Sequence, residues 1–520
     1  LSKAMEKLID QNERFLAELE KANRTIQMQA NEIKRLNDLL QAMNRRMFGT
    51  SSEQTPANQL SLFEDETNSF NQAEITAPNK SDEYEEIKYK RKKQKGHKAN
   101  LIKDLSEVEH VYELPVEDQV CDCCGEDLHP FAKREVRVEV EFIPAKLVKH
   151  KYLEQAYECR SCKTQADKAQ IKTEKAPKPV IARSLASPSL LAQLAHQKFE
   201  LSLPFYRQEK EWQRWGLSVS RRTLANWLIR GAQDWLKPIY QLLHKHLKDQ
   251  EVIHADETVY QILRRSDGKP ATSQSRIWLF TTAEYSDKPI VLYHSSLSRG
   301  YAVAKNFLDG FSGYLHCDGY QVYQNLPDVM VVACWAHLRR KFWEAATGVG
   351  QAATGVAFCN ELFLAERALK ELKPQERQTQ RRKIVAPLVE KFWSWLDSLE
   401  TMKGNLQKAV NYANNLREHL NRFLEDGRLV LSNNFAERMI RPTTVGRKNW
   451  NFSVSEEGGE SNAIVYSIIQ TAKANGLDTI AYLHYLFEQL PNLPFRENPE
   501  LLEDYLPWGS KTKLALSVNK

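Results

Sequence analysis

The sequence predicts a multidomain α/β chain: one mixed sheet, a coiled coil ahead of it, and helices inserted into it and appended after it. Three observations carry this expectation. The chain has 520 residues, too many for a single core. From Met5 to Met47 apolar residues recur in heptads. Two β-rich segments, Glu251 to Leu263 and Gly313 to Tyr320, each place an aspartate inside or at the end of a strand.

Residues 1–48 read as a coiled coil. Position a falls on Met5, Asn12, Leu19, Ile26, Ile33, Leu40 and Met47, and position d on Leu8, Phe15, Ala22, Gln29, Leu36 and Met43. Polar Asn12 and Gln29 in the seam would fix register and strand number. The plainer alternative is one amphipathic helix packed on its own chain. Because the opening segment is charged, a signal peptide is not expected, and no apolar run approaches the ~20 residues of a membrane helix. Residues 49–98 turn to Ser, Gln, Asn and Thr and end in a basic run from Lys88 to Lys98. That is a linker whose cations are a solvated tether or a sequence-blind contact to phosphate.

Residues 99–178 carry two C-x-x-C knuckles, Cys121 with Cys124 and Cys159 with Cys162. Four thiolates at such spacing reach one tetrahedral, structural zinc. Cys123 is read as a spectator, able to replace Cys121 or Cys124. Arg134 to Phe142 alternates strictly and predicts a strand, and Tyr152 to Glu158 predicts a second. The module is zinc-ribbon-like. A purely structural role for the metal is its bland reading.

Residues 179–245 read as helices. Pro204 to Trp212 runs into a turn at Gly216, and Ser220 caps a further helix carrying Arg221, Arg222 and Asn226. Helix, glycine turn and helix is the helix-turn-helix arrangement, with those three side chains placed for phosphates or base edges. A plain helical hairpin is the alternative.

Residues 246–472 hold the sheet. His254 with Asp256, and His316 with Asp318, should share a face, since strand residues two apart point the same way. Strands are expected at Arg276 to Thr282 and Pro289 to His294, a helix at Tyr301 to Leu308, then Gly313 to Asp318, and an apolar strand from Val329 to Cys334. Three antiparallel strands, a helix, a strand, a strand and a helix is the ribonuclease-H-like plan. Cys334-Trp335-Ala336-His337 precedes Arg339, Arg340 and Lys341. A Cys and a His three apart suit a metal, but no second pair lies near in sequence, and packing with cations toward phosphate is preferred. A charged helical insertion occupies 354–428. Beyond it, Glu437 sits among Arg438, Arg441, Arg447 and Lys448, with Glu437 and Arg441 on one helix face. Taken alone this is a surface salt bridge. With Asp256 and Asp318 it is an oxygen donor set for a pair of hard cations, flanked by phosphate-binding cations. Residues 473–520 form a C-terminal helical tail.

The motifs H-A-D-E-T, H-C-D-G-Y, C-W-A-H-L-R-R-K-F and N-N-F-A-E-R-M-I-R-P-T-T-V-G-R-K-N-W resemble those of the insertion sequence sixty-six (IS 66) family of DDE-type transposases. The resemblance covers nearly the whole chain. It implies Asp256, Asp318 and Glu437 as the catalytic carboxylates, two magnesium (or manganese) ions, and donor-DNA cleavage followed by strand transfer. DNA (element ends and target) would be the partner, and the chain would self-associate, as a dimer, in the bacterial cytoplasm at the nucleoid. Whether companion proteins of the same element take part is left open. The net charge of +6 is mild, so cations are clustered rather than spread. A ribonuclease-H-like nuclease or resolvase could use the same carboxylates. A domesticated DNA-binding protein is the non-catalytic alternative.

Overall fold

The computed structural model describes residues 146–158, 171–271, 274–346, 350–400 and 402–517. The expected coiled coil, the linker with its basic run, the strand from Arg134 to Phe142, and Cys121, Cys124, Cys159 and Cys162 lie outside the described residues.

β1 (Ala156–Glu158) and β2 (Ile171–Thr173) pair antiparallel. The strand expected from Tyr152 is therefore confined to its last three residues. Tyr152 and Leu153 are exposed and find no strand partner among the described residues. A helical layer follows: α1 (Pro188–Phe199), α2 (Phe205–Arg214) and α3 (Arg221–Gly231), then a π-helical turn and α4 (Lys237–Lys248). Ser187 Oγ accepts from Leu190 N at 3.2 Å and Ser220 Oγ from Thr223 N at 3.2 Å, so both helices start at serine caps. Gly216 supplies the positive φ of +91° between α2 and α3. Trp212 donates to Gln197 at 3.0 Å, a buried polar tie between α2 and α1.

The sheet follows from β3 (Val252–Val259), β4 (Gln261–Arg264), β5 (Arg276–Thr282), β6 (Val291–Ser296), α5 (Tyr301–Phe307), β7 (Gly313–Cys317), the one-turn α6 (Gln321–Gln324), β8 (Val329–Ala333) and α7 (Trp335–Ala345). Its order is β6-β5-β3-β7-β8. β5 is antiparallel to β3 and β6, whereas β7 runs parallel to both β3 and β8. The strand expected from Glu251 to Leu263 is two strands. Tyr260 turns into the core and bonds Ser453, and β4 leaves the sheet to pair elsewhere. β6 starts after Pro289, which has no N–H for a ladder, while Ile290 N donates to Thr282 Oγ1 at 3.1 Å.

Between sheet and glutamate lie α8 (Gln351–Ala368), α9 (Pro374–Asp397), α10 (Gly404–Asn415) and α11 (Arg417–Asn421). They pack with α7 around Trp335, Phe342, Phe392 and Leu420. Arg381, fully buried, holds this layer together: it pairs with both oxygens of Glu366 at 2.7 Å and donates to the carbonyls of Phe423, Asp426 and Leu429. A buried guanidinium is tolerable only when its donors are satisfied in this way.

The chain ends with α12 (Asn434–Trp450), β9 (Phe452–Ser455), α13 (Glu456–Ala474), α14 (Thr479–Gln489) and α15 (Ser510–Ser517). β9 pairs parallel with β4. α13 covers the edge strand β6: Ser467 Oγ accepts from Tyr293 N at 2.8 Å and Thr471 Oγ1 from Val291 N at 3.0 Å. An edge strand so covered cannot recruit another chain. α14 packs on α1, and one apolar core joins Leu191, Leu228, Phe280, Tyr293, Ile469 and Leu486. The layer of α1 to α4, the sheet and the C-terminal helices thus share their interior.

Candidate active site

β3 is the central strand, and its alternation fixes what faces α12. His254, buried, stacks on His316 of β7 with centroids 4.4 Å apart. Asn433, the residue before α12, donates from Nδ2 to the Ala255 carbonyl at 2.8 Å, so its Oδ1 is the acceptor for His254 Nδ1–H, also at 2.8 Å. Asn433 N–H points at Cys334 Sγ at 3.1 Å. Burial drives the His254 pKa down to about 4, so the ring is a neutral donor. At the other end of α12, Arg447 turns inward, to Thr258 Oγ1 at 3.0 Å and to the Val259 carbonyl. The glutamate helix is pinned to β3 at both ends.

Asp256 sits mid-strand and takes the Glu257 N–H on Oδ1 at 2.8 Å. Burial, then the charges of Glu257, Asp318 and Glu437, hold its carboxyl well above the usual range. Asp318 follows β7 and takes the Tyr320 N–H on Oδ1 at 2.9 Å. Gly319 adopts φ +87°, a conformation that side-chain-bearing residues rarely take, and a Cβ there would also press on the Leu416 side chain. Glu437 is raised by burial, lowered by Arg340 and raised by Asp318. Its oxygens lie 3.4 Å from His337 Nε2 and 3.9 Å from Arg340. Glu437 Oε1, His337 Nδ1 and Arg340 Nε are buried without a hydrogen-bond partner among the described residues.

Asp256, Asp318 and Glu437 therefore share one electrostatic neighbourhood, although no cluster of three acidic, His or Cys side chains among the described residues is tight enough to hold a metal. The donor set fits a hard cation. Carboxylate oxygens are hard donors, and the bonds on Asp256 and Asp318 fall on one oxygen of each. His337 and Arg340 occupy the glutamate in this state. Cys334, a possible ligand by spacing, is buried with Asn433 N–H on its sulfur, so it helps dock α12.

The remaining cations divide. Arg441 and Lys448 are exposed, and Arg438 pairs with Glu284 at 2.9 Å. Arg339 turns to Asn360 at 2.7 Å, and Lys341 lies 5.6 Å from the Tyr412 ring. Arg339 and Arg447, expected to face phosphate, are half-buried and each has a polar partner on the next layer. Arg221, Arg222 and Asn226 are exposed on α3, the last two one turn apart. Sequence reasoning passed over Glu257 and Asn433. The signals were present: a second carboxylate beside Asp256, and an amide just ahead of the glutamate helix.

Residues 183–461 match the family model described as Transposase IS66 family. Residues 118–163 match the zinc-finger binding domain of transposase IS66, and 467–508 match the IS66 C-terminal element. A model described as Transposase C of IS166 homeodomain matches 35–109. Three proteins of Sinorhizobium fredii are similar. Uncharacterized protein y4qI is 34% identical over 357 residues, 65% of this chain and 65% of its own length, just under two thirds. Uncharacterized protein y4jD is 30% identical over 413 residues, 76% of this chain and 79% of its own length. Uncharacterized protein y4hP is 27% identical over 426 residues, covering 76% and 74%. With the first of these models alone spanning more than half of the 520 residues, the chain belongs to the IS66 transposase family.

Proposed function

We propose that this protein is the DNA transposase of a bacterial insertion sequence, binding the element's ends, cleaving the donor strand and joining it to target DNA. What supports this reading is that Asp256, Asp318 and Glu437, from β3, the end of β7 and α12, lie near enough for the charges of Asp318 and Glu437 to raise the Asp256 carboxyl and that of Asp318 to raise Glu437. The sheet order, with three antiparallel strands and then two parallel ones, supports a ribonuclease-H-like catalytic core.

When bound, a pair of magnesium (or manganese) ions supplies Lewis acidity, activating water and then a 3′-hydroxyl and steadying charge on the phosphate. Asp256 and Asp318 would hold both, and Glu437 would complete one site. Arg340, freed from Glu437, would join Arg438, Arg441 and Lys448 in neutralising phosphate. Arg222 and Asn226 on α3 would meet the element's ends. Cys121, Cys124, Cys159 and Cys162 would fold around one zinc. The N-terminal heptads would hold two copies together, each on one DNA end, in the bacterial cytoplasm. A nuclease or resolvase using the same carboxylates is the second reading. The zinc-finger match and the exposed α3 face favour the transposase.

The test is a strand-transfer assay on the element's own ends with magnesium. Asp256→Asn, Asp318→Asn and Glu437→Gln should each abolish cleavage while end binding persists, because metal positioning and not affinity is lost. A variant that nicks donor DNA at the wild-type rate would sink the assignment, and nicking without joining in the wild type would favour the nuclease.

A further inference from the structure

Glu257 follows Asp256 directly, yet its environment differs from that of its neighbour. It points to the opposite face of β3. Its side chain is 2% exposed, and both oxygens are engaged. Arg299, in the loop ahead of α5, donates to Oε1 from Nε at 2.8 Å and also from a terminal nitrogen. Tyr323 of α6 donates its hydroxyl to Oε2 at 2.9 Å. Three donors engage this carboxylate, so its oxygens are committed to the network.

The network continues from Arg299 to the second aspartate. The guanidinium carbon lies 3.9 Å from the centre of the Tyr320 ring, and Tyr320 donates its hydroxyl to the Arg299 carbonyl at 3.0 Å. The Tyr320 N–H in turn holds Asp318 Oδ1 at 2.9 Å, while the Glu257 N–H holds Asp256 Oδ1 at 2.8 Å. Asp256, Glu257, Arg299, Tyr320 and Asp318 thus form a continuous chain of contacts. It ties a strand to the loop after β7 through a third loop. β3 and β7 hydrogen-bond only from Val252 to His254 on the β3 side. Beyond His254 the two aspartates are spanned by this side-chain bridge rather than by the ladder.

We infer that Glu257 is a positioning residue, acting through Arg299 and Tyr320 to set the distance between Asp256 and Asp318 and so the affinity of that pair for divalent cations. The inference rests on the metal-dependent reading of Asp256 and Asp318 above. Side chains that orient a metal's ligands cost roughly 10–100-fold in metal affinity when removed. Glu257→Gln keeps the shape but loses the charge that holds Arg299. Arg299→Met removes the bridge at a residue that is 41% exposed.

The experiment measures Mn²⁺ binding by titration calorimetry on the full-length protein, alongside donor cleavage as a function of Mn²⁺ concentration. Urea unfolding is followed in parallel. Both variants should weaken Mn²⁺ binding by roughly tenfold or more, shift the cleavage curve to higher metal, and recover the maximal rate at saturation. Asp256→Asn is the control for the underlying reading, and should bind and cleave at no concentration. If Asp256→Asn fails in this way while Glu257→Gln and Arg299→Met match the wild-type Mn²⁺ constant, the positioning role is wrong. If Glu257→Gln is folded but stays inactive at saturating Mn²⁺, Glu257 is itself a ligand and the inference is equally overturned. If Asp256→Asn binds and cleaves normally, the failure belongs to the metal-dependent reading instead. Should Glu257→Gln unfold, Arg299→Met decides alone by the same criteria.

Discussion

Asn433→Leu tests how the glutamate helix is held. The side chain lies in a residue only 1% exposed and makes two hydrogen bonds of 2.8 Å, one with His254 and one to the Ala255 carbonyl. Leucine keeps much of the volume but leaves both partners buried and unpaired. An unsatisfied buried group costs ~1–3 kcal/mol, so two set an expected loss of about 2–6 kcal/mol. His254 cannot relieve its share by protonating at neutral pH, since burial holds it near 4. Because Asn433 immediately precedes α12, the same change should loosen Glu437 and reduce cleavage more than DNA binding. Urea unfolding measures the first effect and a paired cleavage and binding assay the second. A double-mutant cycle with His254→Phe should return a coupling of about 0.5–3 kcal/mol, because the pair removed together leaves one fewer orphan. A loss below about 0.5 kcal/mol with unchanged cleavage would refute the docking role.

Two further outcomes follow from particular side chains. Lys198 is 4% exposed, sits 3.9 Å from the Trp450 ring centre, and has no ion pair among the described residues. Burial lowers its pKa from 10.5 to about 7, so the unfolded chain binds its proton more tightly and stability should rise as pH climbs from about 7 toward 10.5. Lys198→Met should flatten that slope and stabilise the protein at pH 6 by ~1–3 kcal/mol, with the aromatic contacts offsetting part of the gain. Thermal melts at pH 6 and pH 9 check this, and a less stable Lys198→Met at pH 6 would mean the cage outweighs the burial. Gly319→Ala should cost about 1–3 kcal/mol, from its φ of +87° and from a Cβ 2.5 Å from Leu416, and should impair cleavage by moving Asp318. Wild-type stability and rate would show that the loop relaxes freely.

Much of the fold was legible because its signals are local. The serine cap ahead of α3, the glycine turn between α2 and α3, and the apolar runs of β5 to β8 each depend on neighbours in the chain. Their order alone suggested the antiparallel-then-parallel sheet. What could not be read depends on partners far away in sequence. Tyr260 has strand chemistry, and only Ser453 and Asn462 on the C-terminal side explain why the strand breaks there. α13 was not singled out, since its mixture of Ser, Thr and apolar residues makes sense only against the open N–H groups of β6.

The site divides the same way. Residue type and spacing pointed to Asp256, Asp318 and Glu437, because a carboxylate in a strand must be explained by something. The side chains that arrange them were invisible for a definite reason. Glu257, Arg299 and Asn433 act through bonds to residues 42, 66, 178 and 179 positions away, and nothing in a local pattern encodes such a pairing. Charge was a poor guide for the cations for the same reason. Arg447 and Lys448 are adjacent, but a helix turns each residue by about 100°, and that rotation sends one to the end of β3 and the other to solvent. A cluster of cations beside a glutamate therefore mixes residues that could meet DNA with residues that hold the glutamate's helix. Only the packing of α12 on β3 tells them apart.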